Sequence, residues 1–208
     1  MTKKEIVILA NGEFPSHPVP LERLKRADKI ICCDGAAESL LKAGMEPHLI
    51  IGDLDSLNNM IKERFQERVI LVTDQESNDL TKAFEYSLSL SPSNIAILGA
   101  TGKREDHTIG NISLLSLFGK KCKIPLQMVT DYGIFTPVYS STIFKSKKGD
   151  KISIFSLDCN IEIESEGLDY PLKGVKFDSW WKATLNIASG ESFVLRFNKG
   201  RVIVFISH

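Results

Sequence analysis

The chain has no excess charge of either sign. Lysine plus arginine and aspartate plus glutamate each number 26, which argues against a general nucleic-acid binder and against an acidic disordered chain. An anionic ligand must therefore be met by local groups. Cysteines are few and unpatterned: Cys32, Cys33, Cys122 and Cys159 include no CxxC pair and no zinc-ligand spacing, so they read as buried, reduced thiols. Long apolar runs are missing too, which excludes a bilayer-spanning helix. The start, Met1-Thr2-Lys3-Lys4, leads directly into Glu5-Ile6-Val7-Ile8-Leu9, a first strand rather than a signal peptide, and the expected location is cytoplasmic. Neither a P-loop nor a GxGxxG fingerprint occurs, and there are no internal repeats or low-complexity tracts.

What the sequence does have is 43% hydrophobic residues, ample for a packed core, and a regular alternation of patterns. Short Ile- and Val-rich runs at 5–10, 29–33, 49–52, 69–72, 94–98 and 126–130 predict strands. Helical spacing at 18–27, 36–42, 57–67, 79–90 and 106–118 separates them. In the fourth helix Leu80, Ala83, Phe84, Ser87 and Leu88 form one stripe, with Asp79, Lys82 and Tyr86 on another face. This alternation predicts an α/β fold, a parallel sheet with helices on both faces. After Asp131-Tyr132-Gly133 only short strand patterns and turn residues follow, which predicts a C-terminal β-sandwich. The expected division is an α/β domain at 1–137 and an all-β domain at 138–208.

Polar motifs fall at the predicted carboxyl ends of these strands, the edge where parallel sheets bind ligands. Asp34-Gly35 follows the second strand. Gly52-Asp53-Leu54-Asp55-Ser56 follows the third, Gln75 to Asp79 the fourth, and Gly99-Ala100-Thr101-Gly102 the fifth. If the chain stays extended through Asp53 and Asp55, both carboxylates leave on one side. Asp34, Asp53, Asp55 and Asp79 together could then surround magnesium, a hard cation that takes oxygen ligands and shares them with phosphates. Helix capping explains each aspartate singly and is compatible with metal binding. Gly99 and Gly102 lie in a strand-to-helix turn of the kind that accepts phosphate on free amides. Arg104 offers a bidentate fork and Lys82 a point charge. Asp106, His107 and Asn111 open the next helix, where His107 reads as a capping rather than a catalytic group. Trp180-Trp181 reads as buried packing rather than a stacking platform.

Asp34-Gly35, Gly52-Asp53-Leu54-Asp55-Ser56, Asn78-Asp79-Leu80-Thr81-Lys82-Ala83, the segment from Gly99 through Asp106 with Asn111, and Gly167-Leu168-Asp169-Tyr170-Pro171-Leu172 form an ordered set. In order and spacing it resembles the thiamine pyrophosphokinases over nearly the whole chain. The resemblance implies transfer of a pyrophosphoryl group from ATP to the hydroxyl of thiamine, with magnesium, in a homodimer whose sites lie between subunits. It implies Asp53, Asp55 and Asp79 as metal-binding and catalytic carboxylates, with Arg104 at the phosphates. It further implies Asp34, Lys82, Gly99, Gly102, Asp106 and Asn111 around ATP, and Gln75, Asn78 and Asn186 around thiamine. The chain departs from the family pattern at Leu185, where many relatives carry serine, at Asn78, where others carry threonine, and near Val204, where some carry tryptophan. Two other readings stay open: a magnesium-dependent pyrophosphokinase for a different alcohol, and a non-catalytic nucleotide-sensing module.

Overall fold

A computed structural model describes residues 4–74, 76–159 and 161–208. The chain divides into two compact units, one running to Asp131 and the other Tyr132–His208. Among the described residues the first contains six strands: β1 (Glu5–Leu9), β2 (Lys29–Cys33), β3 (Leu49–Gly52), β4 (Val69–Leu71), β5 (Asn94–Leu98) and β6 (Leu126–Val129). They pair in parallel in the order β6-β5-β1-β2-β3-β4. The helices are α1 (Pro18–Arg26), α2 (Ala36–Lys42), α3 (Asn59–Arg64), α4 (Asp79–Ser89) and α5 (Glu105–Lys121). The path moves one way from β1 to β4, then jumps back across β1 to β5 and continues outward to β6. Because such crossovers are right-handed, α1 to α3 cover one face and α4 with α5 the other. Strands covered on both sides must be apolar throughout, which is why β1, β2 and β5 read as continuous apolar runs of Ile, Val, Leu, Cys and Ala after their first residue, with no alternation.

The stripe on α4 behaves as its spacing requires. Leu80, Ala83, Phe84 and Ser87 are buried, and the Phe84 ring stacks on Phe118 of α5 at 4.1 Å. Burying a ring of that size contributes about 1.5–3 kcal/mol. Lys82, expected on a different face, is buried as well. The helix expected over 57–67 is shorter. Asn58 caps α3 by accepting from Met60 N, and a 3-10 turn at Gln66–Arg68 follows, because Leu57 and Phe65 on either side are drawn into the core.

The second unit has eight named strands: β7 (Gly133–Val138), β8 (Thr142–Lys145), β9 (Lys151–Ser156), β10 (Glu162–Glu166), β11 (Val175–Lys176), β12 (Ala183–Ile187), β13 (Ser192–Arg196) and β14 (Val202–Ser207). Antiparallel pairing gives β12-β9-β14-β7 and β11-β10-β13-β8. One core, including Phe144, Ile152, Ile154, Ile163, Phe193, Leu195, Val202 and Val204, is shared by both sheets, as in a β-sandwich. The expected boundary after Pro137 falls inside β7. Gly133 and Pro137 look like loop punctuation, yet Pro137 pairs with Ile203 as a strand residue. β12 also escapes the pattern, since Leu185 at φ +58° interrupts the alternation and the register shifts between Ala183 and Asn186.

Candidate functional site

In the first unit β1 is flanked by β2 on one side and β5 on the other, so the loops after β1 and β5 leave in opposite directions and open a crevice. Its volume is about 360 Å³, and it is lined by Asn11, Gly12, Asp34, Asn78, Asp79, Arg104 and Asn111, among others. That is the size class of small-molecule sites, roughly 300–1,000 Å³.

Beside it three carboxylates converge, of which Asp34 and Asp79 line the crevice. Asp34, Asp53 and Asp79 each present an oxygen, and these oxygens lie within 4.8 Å of one another. The parallel register sets Cys33 beside Ile51 and so brings Asp34, at the end of β2, next to Gly52. Gly52 is what permits the approach. A Cβ there would sit 3.0 Å from Asp34 Cβ and 3.2 Å from Asp79 Cγ, closer than ordinary packing allows. Asp55 is not in this group. β3 ends at Gly52 and Leu54 turns at φ +66°, so the two-residue alternation that would align Asp55 with Asp53 is lost. Asp55 is exposed, and its backbone N–H donates to Asp53 Oδ1 at 3.1 Å. Asp34 takes its place among the carboxylates.

Asp34 is 4% exposed at φ +40°. Its Oδ2 accepts from Ser56 N at 2.9 Å, while Oδ1 is buried with no donor. Burial pushes its carboxyl above the usual range; the Ser56 bonds oppose this, and the charges of Asp79 and Asp53 add to it. Lys82, 8% exposed, places Nζ 3.2 Å from Asp79 Oδ1 on the same helix. With the acids ionised, three carboxylates less one ammonium leave two formal negative charges around an orphaned oxygen. A divalent oxygen-loving cation fits that set. Lys82 thus acts inside the carboxylate cluster and is not among the residues lining the crevice.

A carboxylate whose folded pKa is raised adds to stability below its unfolded pKa, and that contribution is lost as pH rises through the folded value. Without metal, melting temperature should therefore carry a loss from Asp34 as pH climbs out of the ordinary carboxylate range. Asp34→Asn, a residue that tolerates left-handed φ, should melt above wild type on the high-pH side of that window and converge with it on the low side. Added Mg²⁺ should raise the wild-type melting temperature and leave the variant's unchanged. Scanning calorimetry across pH checks this, and equal pH profiles for the two proteins would refute it.

The upper wall is made by backbone. Gly12 N donates to Gly99 O at 2.6 Å and Glu13 N to Thr101 O at 2.8 Å. A Cβ on Gly12 would lie 2.4 Å from Gly99 O, so only glycine allows the two loops to meet. Asn11, Gly12 and Glu13 were not among the sequence candidates, although Asn11-Gly12 at the end of the first strand is a turn signal at the right edge. Gly99 and Gly102 both take positive φ in the loop before α5. Asn111 Nδ2 holds that loop by donating to Ala100 O at 2.8 Å. Arg104, just before α5, donates from Nε and Nη2 to Asp106 at 3.0 and 2.5 Å. The Arg104 fork holds the Asp106 carboxyl down at about 2. Asn78 caps α4, accepting from Thr81 N at 2.9 Å.

Other candidates lie elsewhere. Gln75 falls outside the described residues. In the second unit Asn186 is 4% exposed; its Oδ1 accepts from Tyr170 N and its Nδ2 donates to Tyr170 O at 2.7 Å. That amide is committed to joining the Gly167-to-Leu172 stretch to β12. Trp180 and Trp181 are not buried: they are 43% and 71% exposed, on a 3-10 turn. Of the cysteines, Cys32 and Cys33 are buried but Cys159 is exposed, and all four are free thiols. Among the described residues no helix is long and apolar enough to cross a membrane.

Residues 21–128 match the family model described as "Thiamin pyrophosphokinase, catalytic domain", and residues 133–205 match "Thiamin pyrophosphokinase, substrate-binding domain". The chain belongs to the thiamine pyrophosphokinase family. Among its relatives is the thiamine pyrophosphokinase of Bacillus subtilis, 30% identical over 147 residues that span 67% of this chain and 68% of that protein. Thiamin pyrophosphokinase 1 of Caenorhabditis elegans is 33% identical over 54% of this chain and 50% of its own. The crystal structure of the B. subtilis enzyme superposes with a TM-score of 0.81 at 24% identity, covering 98% of this chain and 99% of that one. Yeast thiamin pyrophosphokinase gives 0.82 at 16% identity, covering 100% and 87%, so the family fold persists where sequence has diverged.

Proposed function

We propose that this chain transfers the pyrophosphoryl group of ATP to the hydroxyl of thiamine, giving thiamine diphosphate and AMP. The observation that carries the reading is the carboxylate trio with its orphaned Asp34 oxygen, set beside a crevice in a domain of the thiamine pyrophosphokinase family. Phosphoryl transfer asks a protein for alignment and charge neutralisation more than for covalent chemistry. Asp34, Asp53 and Asp79 would hold Mg²⁺, which when bound neutralises charge on the phosphate oxygens. Asp55, exposed beside the trio, takes the place of a flanking acid.

The chain's own groups do the positioning. Residues 99–102 and the first turn of α5 direct backbone amides at phosphate, with Asn111 holding the loop in shape. Arg104 exchanges the Asp106 carboxylate for phosphate oxygens, keeping its bidentate geometry. Lys82 keeps Asp79 oriented. Asn78 borders the acceptor, and Asn186 orders the backbone of the Gly167-to-Leu172 stretch in the domain that matches the family's substrate-binding model. The acceptor oxygen attacks the β-phosphorus as the bond to the α-phosphate breaks and AMP leaves.

We assign the same reading a homodimer and a cytoplasmic setting. The face of β7, β14 and β9 opposite the sandwich core carries partly exposed aromatics, with Phe135 against Phe205 at 4.7 Å and Trp180 against Phe155 at 6.1 Å, and exposed Trp181 beside them in sequence. Such a patch suits a second copy.

The direct test is incubation with ATP, Mg²⁺ and thiamine, followed by chromatography. AMP with thiamine diphosphate in equal amounts is the expected result. AMP formed only with another alcohol would replace thiamine as acceptor, and ATP binding without AMP would make the domain a nucleotide sensor.

A further inference from the structure

Asp131 lies just beyond β6, 115 residues from Ser16, yet its carboxylate accepts from three donors on the loop that holds Ser16 and His17. Its carboxylate accepts Ser16 N at 3.0 Å, the Ser16 hydroxyl, and His17 N at 3.1 Å. His17 is the N-cap residue of α1, so the anion also faces the positive end of that helix. Burial pushes the Asp131 carboxyl up, but the Ser16 and His17 bonds and the His17 imidazole outweigh it and hold it below the usual range. Ser16 and His17 end the loop that begins at Ala10, and that loop supplies Asn11 and Gly12 to the crevice. At its near end it is joined to the β5 loop through Gly12 N and Glu13 N, and Lys103 Nζ donates to Asn11 O at 3.1 Å. The segment is therefore pinned at both ends, and Asp131 is the far pin.

We propose that Asp131 is a positioning residue that sets the width of the crevice by anchoring the β1–α1 loop, without touching anything bound there. The inference rests on the crevice being the nucleotide site. Loss of the anchor should let the loop swing away from Gly99 and Thr101, weakening nucleotide binding while leaving the carboxylate trio, on β2, β3 and α4, in place.

The experiment uses the full chain with Asp131→Ala, Asp131→Asn and Ser16→Ala. Asparagine retains an acceptor for the two backbone N–H groups and an amide that can donate to the Ser16 hydroxyl, so it should restore most of the function. In Asp131→Ala, hydrogen exchange at the Gly12 and Glu13 amides should quicken about tenfold, and ATP affinity with Mg²⁺ should weaken by about the same factor. The kcat should remain within about twofold. Ser16→Ala, at an exposed position, should give the same pattern at about threefold. Unchanged exchange in Asp131→Ala, or a fall in kcat with KM untouched, overturns the inference. If Asp131→Ala does not fold, Ser16→Ala decides, since unchanged exchange there overturns it equally. A wild-type chain that binds no ATP defeats the nucleotide reading, while the exchange measurement still decides whether Asp131 anchors the loop.

Discussion

Replacing Asp53 by asparagine is expected to lower kcat/KM about a thousandfold while moving the melting temperature by no more than about 2–4 °C. The size follows from its place: one of three carboxylates whose oxygens lie within 4.8 Å of each other, with Lys82 beside Asp79 as counter-charge. Asparagine keeps the shape and can still accept the Asp55 N–H, so the turn after β3 should survive. What disappears is one formal negative charge from a cluster whose remaining two carboxylates and one ammonium no longer match a divalent ion. Asp79→Asn should be as damaging to turnover but a poorer probe, because it also strips the buried Lys82 of its partner and so lowers stability. AMP release, calorimetric Mg²⁺ titration and a thermal melt measure the three quantities separately. Near-normal turnover in either variant would remove the trio from the mechanism.

Gly52→Ala should lower kcat/KM about a hundredfold by displacement alone, with no charge changed. The added methyl group would stand 3.0 Å from Asp34 Cβ and 3.3 Å from Asp79 Oδ1, so both acids must retreat by a few tenths of an ångström. Gly52 has no positive φ, so alanine is conformationally acceptable in the strand and should gain about 0.5–1 kcal/mol from the stiffer unfolded chain. The expected signature is a protein that melts no lower than wild type yet binds Mg²⁺ poorly. Full activity with full Mg²⁺ affinity would sink the idea that close approach of these acids matters.

Much of the first unit was legible because its inner strands are covered on both faces: such strands must be apolar runs, and the polar motifs between them could only fall at their ends. The motif set also pointed to the right family. What the sequence reading missed was any change of direction within a motif. Asp53 and Asp55 look like an aligned pair only if the chain stays extended, and the left-handed turn at Leu54 separates them. The sequence already groups Asp34 with the other acids at the strand ends, and the pairing of β2 with β3 is what brings it to them. Lys82 reads as a surface cation by type, but its position on α4 buries it against Asp79. In the second unit Pro137 and the bulged Leu185 hid two strands whose pairing depends on distant partners. Asn11-Gly12 carried a turn signal, but its role depends on β5 lying next to β1.

Asp79 and Lys82 stand one turn apart at the start of a helix whose inner stripe is locked by Phe84 stacking on Phe118. Acid and counter-ion therefore ride on one rigid body. A small slide of α4 would change the spacing of Asp79 from Asp34 and Asp53 but not its spacing from Lys82. On the proposed metal-holding role of the trio, cation affinity at the sheet edge would become a gauge of how this helix is seated, and a substitution beneath Phe84, remote from the crevice, would register there.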